Sequence, residues 1–128
     1  MVGTRRVKDA GPIRRMTSQG TASGRFTRAI TQRNLMGAEI AMREMGTPSL
    51  LVALDYIMLL ADVRPDRFDV AAIRWHGRLE LETAALTLAE SQLALAALGA
   101  LRAGDREAAT VLKRLLRKVR PTLIRNAS

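Results

Sequence analysis

Cysteine is absent from this chain of 128 residues, and histidine and tryptophan each occur once. Without cysteine, the protein has no disulfides, no thiolate metal ligands and no thiol nucleophile. The fold therefore has to be stabilised by buried apolar side chains, and a domain of this length can bury enough of them. Because cysteine-free chains suit a reducing compartment, we expect a cytoplasmic protein.

Residues that usually carry catalysis are also scarce. The sequence has no phosphate-binding glycine loop, no dinucleotide fingerprint and no zinc-ligand spacing. His76, with Glu80 four residues later, has the spacing of a general base and its orienting carboxylate, but we interpret it as a partly exposed helical histidine. Asp62, Asp66 and Asp69 offer oxygen ligands for Mg²⁺, yet the arginines among them favour ion pairs. We expect no catalytic site, metal or cofactor.

No apolar run reaches the length of about 20 residues that a membrane-spanning helix needs. The longest block is LLVALDYIMLLA, from Leu50 to Ala61, which only Asp55 interrupts. A helix that is apolar almost all round must be surrounded by other helices. We therefore predict that this block is the central buried helix of a bundle. Thr47 is its predicted cap and Pro48 its first residue.

Helical spacing of apolar residues continues on both sides of this block. Phe68, Ala72, Trp75 and Leu79 form one stripe, and Thr87 opens a capping box that starts the next helix. That next helix is rich in alanine and leucine, and we expect it to be largely buried. We predict no strands in the fold. The predicted single core contains eight large side chains: Leu54, Ile57, Met58, Phe68, Trp75, Leu79, Leu95 and Leu112.

Short polar turns separate these helices, as in helical-hairpin repeats. The predicted fold class is therefore all-α, a five- to six-helix bundle of antiparallel helical hairpins that is tetratricopeptide-like in style. We expect residues 1–23 to form a disordered basic arm, residues 24–120 a helical domain and residues 121–128 a frayed tail.

The segment from Phe26 to Leu116 resembles a group of small uncharacterised helical proteins encoded in high-GC actinobacterial genomes. The stretches that carry the resemblance are RAITQRNLMGAEIAMREMG, FDVAAIRWHGRL and LTLAESQLALAALGAL. The resemblance implies a helical fold and a bacterial cytoplasmic setting. It implies no activity and no functional residues.

Positive charge is concentrated at the two ends of the chain. The net charge is +9, divided into +6 for residues 1–28, −2 for residues 29–104 and +5 for residues 105–128. Such ends can reach an anionic partner, either nucleic acid or an acidic protein. The candidate binding residues are Arg5, Arg6, Lys8, Arg14, Arg15, Lys113, Arg114, Arg117, Lys118 and Arg120.

Two functions follow from these observations. The first is a non-enzymatic interaction module that binds another macromolecule, because paired helices present broad faces. The alternative is a nucleic-acid-binding accessory protein without sequence preference, which grips phosphates through the basic arm and the C-terminal helix. A basic surface that only keeps the protein soluble is a third interpretation. Methionines on the second helix could also pair with a second copy, so the oligomeric state is open.

Overall fold

The structure, a computed structural model, describes residues 20–121, and every structural statement below concerns this part of the chain. Most of the predicted basic arm and nearly all of the predicted tail lie outside it. The described residues form six α-helices: α1 (Ala22–Thr31), α2 (Leu35–Met45), α3 (Leu50–Val63), α4 (Phe68–Glu82), α5 (Leu88–Arg102) and α6 (Ala108–Lys118). A 3₁₀ turn at Pro65–Arg67 precedes α4. The predicted all-α fold class is confirmed.

The described residues divide into two compact units, with the boundary between Thr47 and Pro48. The boundary falls inside the segment that the sequence predicts as one helical domain, 24–120. The first unit contains α1 and α2, and the second contains α3 to α6.

In the first unit, α1 and α2 form a helical hairpin. Thr21 caps α1 and Asn34 caps α2, each by accepting a hydrogen bond from a backbone amide three residues on. Arg25 of α1 donates a 3.0 Å hydrogen bond to Glu44 of α2, and Phe26 is buried. The guanidinium of Arg25 holds the pKa of Glu44 below its usual value.

The start of α3 differs from the prediction. Ser49 is the cap, since its hydroxyl accepts a hydrogen bond from the backbone amide of Val52 at 3.1 Å, and the helix begins at Leu50. Thr47 and Pro48 therefore belong to the connection rather than to the helix. The preceding helix ends at Gly46, whose φ of +80° is a conformation that glycine adopts without strain.

In the second unit, contacts between side chains show that neighbouring helices run antiparallel. Asp69, at the start of α4, bonds to Arg102 at the end of α5. Two ion pairs show the same reversed order for α3 and α6: Asp55 binds Lys113 of α6, and Asp62 binds Arg106 in the turn before α6. Helix α4 contacts α3 on one flank and α5 on the other, while α6 contacts both α5 and α3. The four helices form an up-and-down bundle.

The core of the second unit lies between these four helices. Seven of the eight predicted core residues are buried or packed against it: Leu54, Ile57, Met58, Phe68, Trp75, Leu79 and Leu112. The prediction for Leu95 is wrong, because this side chain is 49% exposed. Helix α5 turns Ala94, Ala97 and Leu98 inward, and at about 100° per residue Leu95 then points along the outer side. The expectation that α5 is largely buried is wrong for the same reason.

The sequence predicts no strands, and one short strand pair departs from that prediction. Thr83 and Ala84, just after α4, pair antiparallel with Pro121 and Arg120, just after α6. The pair ties the end of α6 to the connection between α4 and α5.

Candidate interaction surfaces

The predicted basic residues of α6 lie on one exposed side of that helix, but two of the four are already paired. The Nζ atom of Lys113 lies 3.6 Å from Asp55, and that of Lys118 lies 3.4 Å from Glu90. Arg114 and Arg117 are exposed and form no hydrogen bond or ion pair within residues 20–121. These two guanidinium groups are the part of the α6 surface that is available to an anion.

The apolar side of α6 is not available. Ala108, Ala109, Leu112 and Leu115 are all buried in the core of the second unit. An amphipathic helix binds a membrane surface through its apolar side, and here that side is used by the fold. The backbone of Arg120 lies in the short strand pair. The remaining predicted residues lie outside the described part of the chain: Arg5, Arg6, Lys8, Arg14 and Arg15.

A groove of about 410 Å³ lies between α3 and α4, and we call it the arginine groove. Its accessible apolar surface comes mainly from Val70, which is 56% exposed, and from half-buried Ala71, both on α4. Buried side chains of both helices lie beneath: Ala53, Ile57, Leu60 and Trp75. Three arginines that occupy one stripe of α4 and the turn before it also line the groove: Arg67, Arg74 and Arg78. The volume falls in the range of small-molecule sites, roughly 300 to 1,000 Å³.

Two of these arginines reach across the groove to α3. Arg67 donates a hydrogen bond to the hydroxyl of Tyr56 at 3.2 Å. Arg78 donates one to the carbonyl of Pro48 at 2.8 Å and pairs with Glu82 one turn further along α4. Because the two bridges lie about three turns of α4 apart, they mark the two ends of the arginine groove.

Arg74 lies between the two bridges and is the unpaired charge of the groove. It is exposed and forms no hydrogen bond or ion pair within the described residues. Asp66 is the acidic residue that lines the groove, and its carboxylate binds Arg64 at 2.8 and 2.9 Å. The hydrogen bond from Arg64 holds the pKa of Asp66 below its usual value, so this carboxylate is ionised and already paired.

The other flank of α4, together with α5, presents apolar side chains to solvent. We call this surface the α4–α5 face and define it by Ile73 and Gly77 of α4 and Leu88, Leu95 and Gly99 of α5. Ile73 is 69% exposed, and Leu88 and Leu95 are exposed as well. Ile73, Leu95 and Gly99 line a groove of about 250 Å³ whose floor includes Phe68 and Ala72.

Both glycines of this face lie inside helices. A Cβ atom placed on Gly77 or on Gly99 would meet nothing within 4 Å. Glycine inside a helix costs about 1 kcal/mol relative to alanine. Within the described structure nothing packs closely enough against either position to require glycine.

The histidine was predicted to be partly exposed, and this prediction is wrong. His76 is only 9% exposed, because α5 covers it. Its Nε2 atom lies 2.9 Å from the hydroxyl of Ser91, which in turn donates a 2.7 Å hydrogen bond to Glu80. The sequence indicated the Glu80 neighbour but not Ser91, which is 15 residues away from His76 and meets it only when α4 and α5 pair.

The three aspartates around the turn before α4 bind arginines in three different places. Asp62 binds Arg106 in the turn before α6, Asp66 binds Arg64 and Asp69 binds Arg102 of α5. No group of three or more potential metal ligands occurs among residues 20–121.

Comparison of the sequence and the structure with protein-family models, curated proteins and solved structures finds no match. No helix within the described residues is both long and apolar enough to cross a membrane.

Proposed function

We propose that this protein is a non-enzymatic interaction module that binds an amphipathic helix of another protein at the α4–α5 face. The observation that carries the proposal is the exposure of Ile73, Leu88 and Leu95 on one side of a helical pair. Contiguous apolar side chains on a soluble domain are typical of protein-binding surfaces.

The shape of the face favours a helix as the occupant. Two antiparallel helices leave a furrow between them, and here Ile73 and Leu95 form its walls while Phe68 lies at its floor. An amphipathic helix fits such a furrow with anchors three and four residues apart. Gly77 and Gly99 leave open space over the two helices, which allows the partner's backbone to come close.

The charges beside the furrow also favour an apolar partner surface. Asp69 and Arg102 line it and bind each other at 3.2 Å, so their charges offset. Binding at this face therefore depends on apolar burial rather than on net charge, and we expect it to be insensitive to salt.

His76 supports a structural interpretation rather than a catalytic one. In a serine hydrolase the second ring nitrogen binds a carboxylate that orients the histidine. Here Glu80 binds the hydroxyl of Ser91, on the same side as Nε2, and no carboxylate contacts Nδ1 within the described residues. On this proposal the role of the three side chains is structural, because they link α4 to α5. The proposal also places the protein in the cytoplasm.

Two leucines of α5 provide a matched test of the face. Leu95 and Leu93 are 49% and 48% exposed, but the helical period places Leu93 on the opposite side of α5. The experiment is to capture partners from cell lysate on the full-length protein, purify the dominant partner, and measure its affinity for Leu95→Asp and Leu93→Asp by calorimetry.

We expect Leu95→Asp to weaken binding by about a hundredfold or more, because it places a charge in an apolar contact. Leu93→Asp should change the affinity less than about twofold. Equal effects of the two variants would contradict the proposal. Light scattering measures the oligomeric state of the protein alone. If the protein is a dimer and Leu95→Asp dissociates it, the α4–α5 face binds a second copy, and the proposal is overturned.

The second candidate function is binding to DNA or RNA without sequence preference, and the observation in its favour is the pair of unpaired arginines on α6. Arg114 and Arg117 lie one turn apart and face solvent. Phosphate contacts of this kind fix no base sequence. The basic residues of the predicted arm, residues 1–23, would add to the positive electrostatic field of these two arginines if they reach the same nucleic acid.

This candidate predicts a steep salt dependence. Affinity for any duplex should fall strongly between about 50 and 200 mM salt. The double variant Arg114→Glu and Arg117→Glu should weaken binding equally for all sequences and lower the salt slope by about 2. Capture of partners with and without nuclease separates the two candidates: partners that resist nuclease support the protein module, and recovered nucleic acid supports this one.

A further inference from the structure

The arginine groove carries an inference that does not depend on the α4–α5 face. We propose that it binds a small amphipathic anion, a molecule with one carboxylate or phosphate head on an apolar body. The head binds Arg74, and the body lies on Val70 and Ala71, above the buried side chain of Trp75.

The first argument is charge. The groove is lined by three guanidinium groups and one carboxylate, and that carboxylate is bound to Arg64, outside the lining. Arg78 is paired with Glu82 and Arg67 contacts Tyr56, which leaves Arg74 without a partner in the described structure. A guanidinium group binds carboxylate or phosphate through two parallel hydrogen bonds, which neutral ligands cannot match.

The second argument is shape. The bridges from Arg67 to Tyr56 and from Arg78 to Pro48 cross from α4 to α3 at the two ends of the groove. A helix or strand from a partner needs a furrow that continues beyond the site. A groove that is bridged at both ends favours a compact ligand over a longer peptide.

The third argument is the apolar lining. Val70, which is 56% exposed, and half-buried Ala71 line the same groove as Arg74, so one ligand can reach both kinds of surface. An inorganic anion would use Arg74 but not this surface, and it should therefore bind more weakly.

Trp75 makes the proposal directly measurable. It is the only tryptophan of the chain and it lines the groove, so its fluorescence reports on binding without a label. The full-length protein is titrated with decanoate and with decyl phosphate, and in parallel with 1-decanol, acetate and inorganic phosphate. The two decyl anions distinguish a carboxylate ligand from a phosphate ligand, while decanol lacks the charge and the two small anions lack the apolar body.

Arg74→Gln is the test variant, and Arg114→Gln is its matched control. Both arginines are exposed, both are unpaired in the described structure, and both substitutions lower the net charge by one. Arg114 lies on α6 and does not line the groove. Circular dichroism verifies that each variant keeps the helical fold.

We expect at least one decyl anion to bind about tenfold or more tightly than decanol, acetate and phosphate. Arg74→Gln should weaken this binding by about tenfold, and Arg114→Gln by less than about twofold. Arg74→Lys keeps the charge but not the paired hydrogen bonds, and should lie between the wild type and Arg74→Gln.

Three results would overturn the proposal. Decanol that binds as tightly as decanoate and decyl phosphate would show a merely apolar surface. An equal loss for Arg74→Gln and Arg114→Gln would show attraction to the overall positive charge. No saturable change in Trp75 fluorescence with either decyl anion would show that the groove binds no ligand of this class. None of these results bears on the α4–α5 face, whose test uses α5 variants.

Discussion

The two flanks of α4 offer opposite chemistry to a partner. On the flank that faces α3, arginine side chains stand over a partly apolar groove, and Arg74 has no acidic partner in the described structure. On the flank that faces α5, Ile73 is exposed and the charged pair Asp69 and Arg102 is internally balanced. Arg74 and Ile73 are adjacent in the chain, yet the helical period directs them to different neighbours.

One helix can therefore present two chemically different surfaces when its inner side is packed in a core. Phe68, Trp75 and Leu79 hold α4 in place from within. On the two proposals, electrostatic attraction operates on one flank and apolar burial on the other. The two should respond differently to salt, since screening weakens exposed charges and leaves apolar contacts largely unchanged.

The largest expected effect comes from breaking the core that both flanks share. Leu54 is fully buried, and Leu54→Asp should unfold the second unit, because an unpaired buried charge costs several kcal/mol against a total stability of about 5 to 15 kcal/mol. Leu51→Asp, at a position of the same helix that is 49% exposed, is the control. Circular dichroism should show lost helix for the first variant alone, and retained helix in Leu54→Asp would contradict the described core.

The next effect compares the polar links on the two flanks. His76→Ala removes the ring that contacts Ser91 between α4 and α5, and should lower the free energy of unfolding by about 1 to 3 kcal/mol, because buried polar groups lose a partner. Arg78→Ala removes a half-exposed link to α3, and should cost about 1 kcal/mol or less. Urea denaturation measures both values. A larger cost for Arg78→Ala would reverse the comparison.

A smaller effect of opposite sign is expected on the apolar flank. Gly77→Ala and Gly99→Ala should each raise the free energy of unfolding by about 0.5 to 1 kcal/mol, because alanine favours the helix and the added Cβ meets nothing. If a partner helix comes close there, the same variants should weaken its binding. Thermal unfolding and partner affinity are measured on the same samples, and destabilised variants would show that the space at these positions is not open.

The smallest expected effect concerns pH. Hydrogen bonding from the Thr87 amide, supported by Lys118, lowers the pKa of Glu90 below its usual value. A lowered carboxyl pKa contributes stability that is present above the unfolded pKa of about 4.5 and is lost as the pH falls through the folded pKa. Glu90→Gln keeps a capping acceptor but does not titrate. Its urea midpoint should therefore fall less than that of the wild type between about pH 5 and pH 3, and parallel declines would contradict this assignment.

The sequence predicted the inner side of the bundle better than its outer side. The stripe of Phe68, Ala72, Trp75 and Leu79 and the capping box at Thr87 both have a local cause, the helical period or a spacing of three residues, and the structure has both. Leu95 shows where this reasoning failed. In a helix composed mainly of alanine and leucine, the apolar pattern does not show which side faces the core, and only the packing of α5 against α4 and α6 decides it.

The candidate sites were harder to predict for a related reason. The sequence spacing of Arg67, Arg74 and Arg78 is enough to put them on one side of a helix. Their function as a groove wall depends on α3, because Tyr56 and Pro48 supply the bridges. The contact between His76 and Ser91 likewise joins residues of two helices. Contacts between helices are set by tertiary packing, and a single sequence carries no direct record of them.

The most direct measurement of the contrast between the two flanks is a nuclear magnetic resonance titration of the full-length protein with whichever decyl anion binds more tightly. We predict that the side-chain signals of Arg74, Trp75 and Ile57 shift in a saturable, salt-dependent manner, while the methyl signals of Ile73 and Leu95 stay in place. Shifts centred on Ile73 and Leu95, or shifts spread equally over both flanks, would contradict the assignment of different binding chemistry to the two sides of α4.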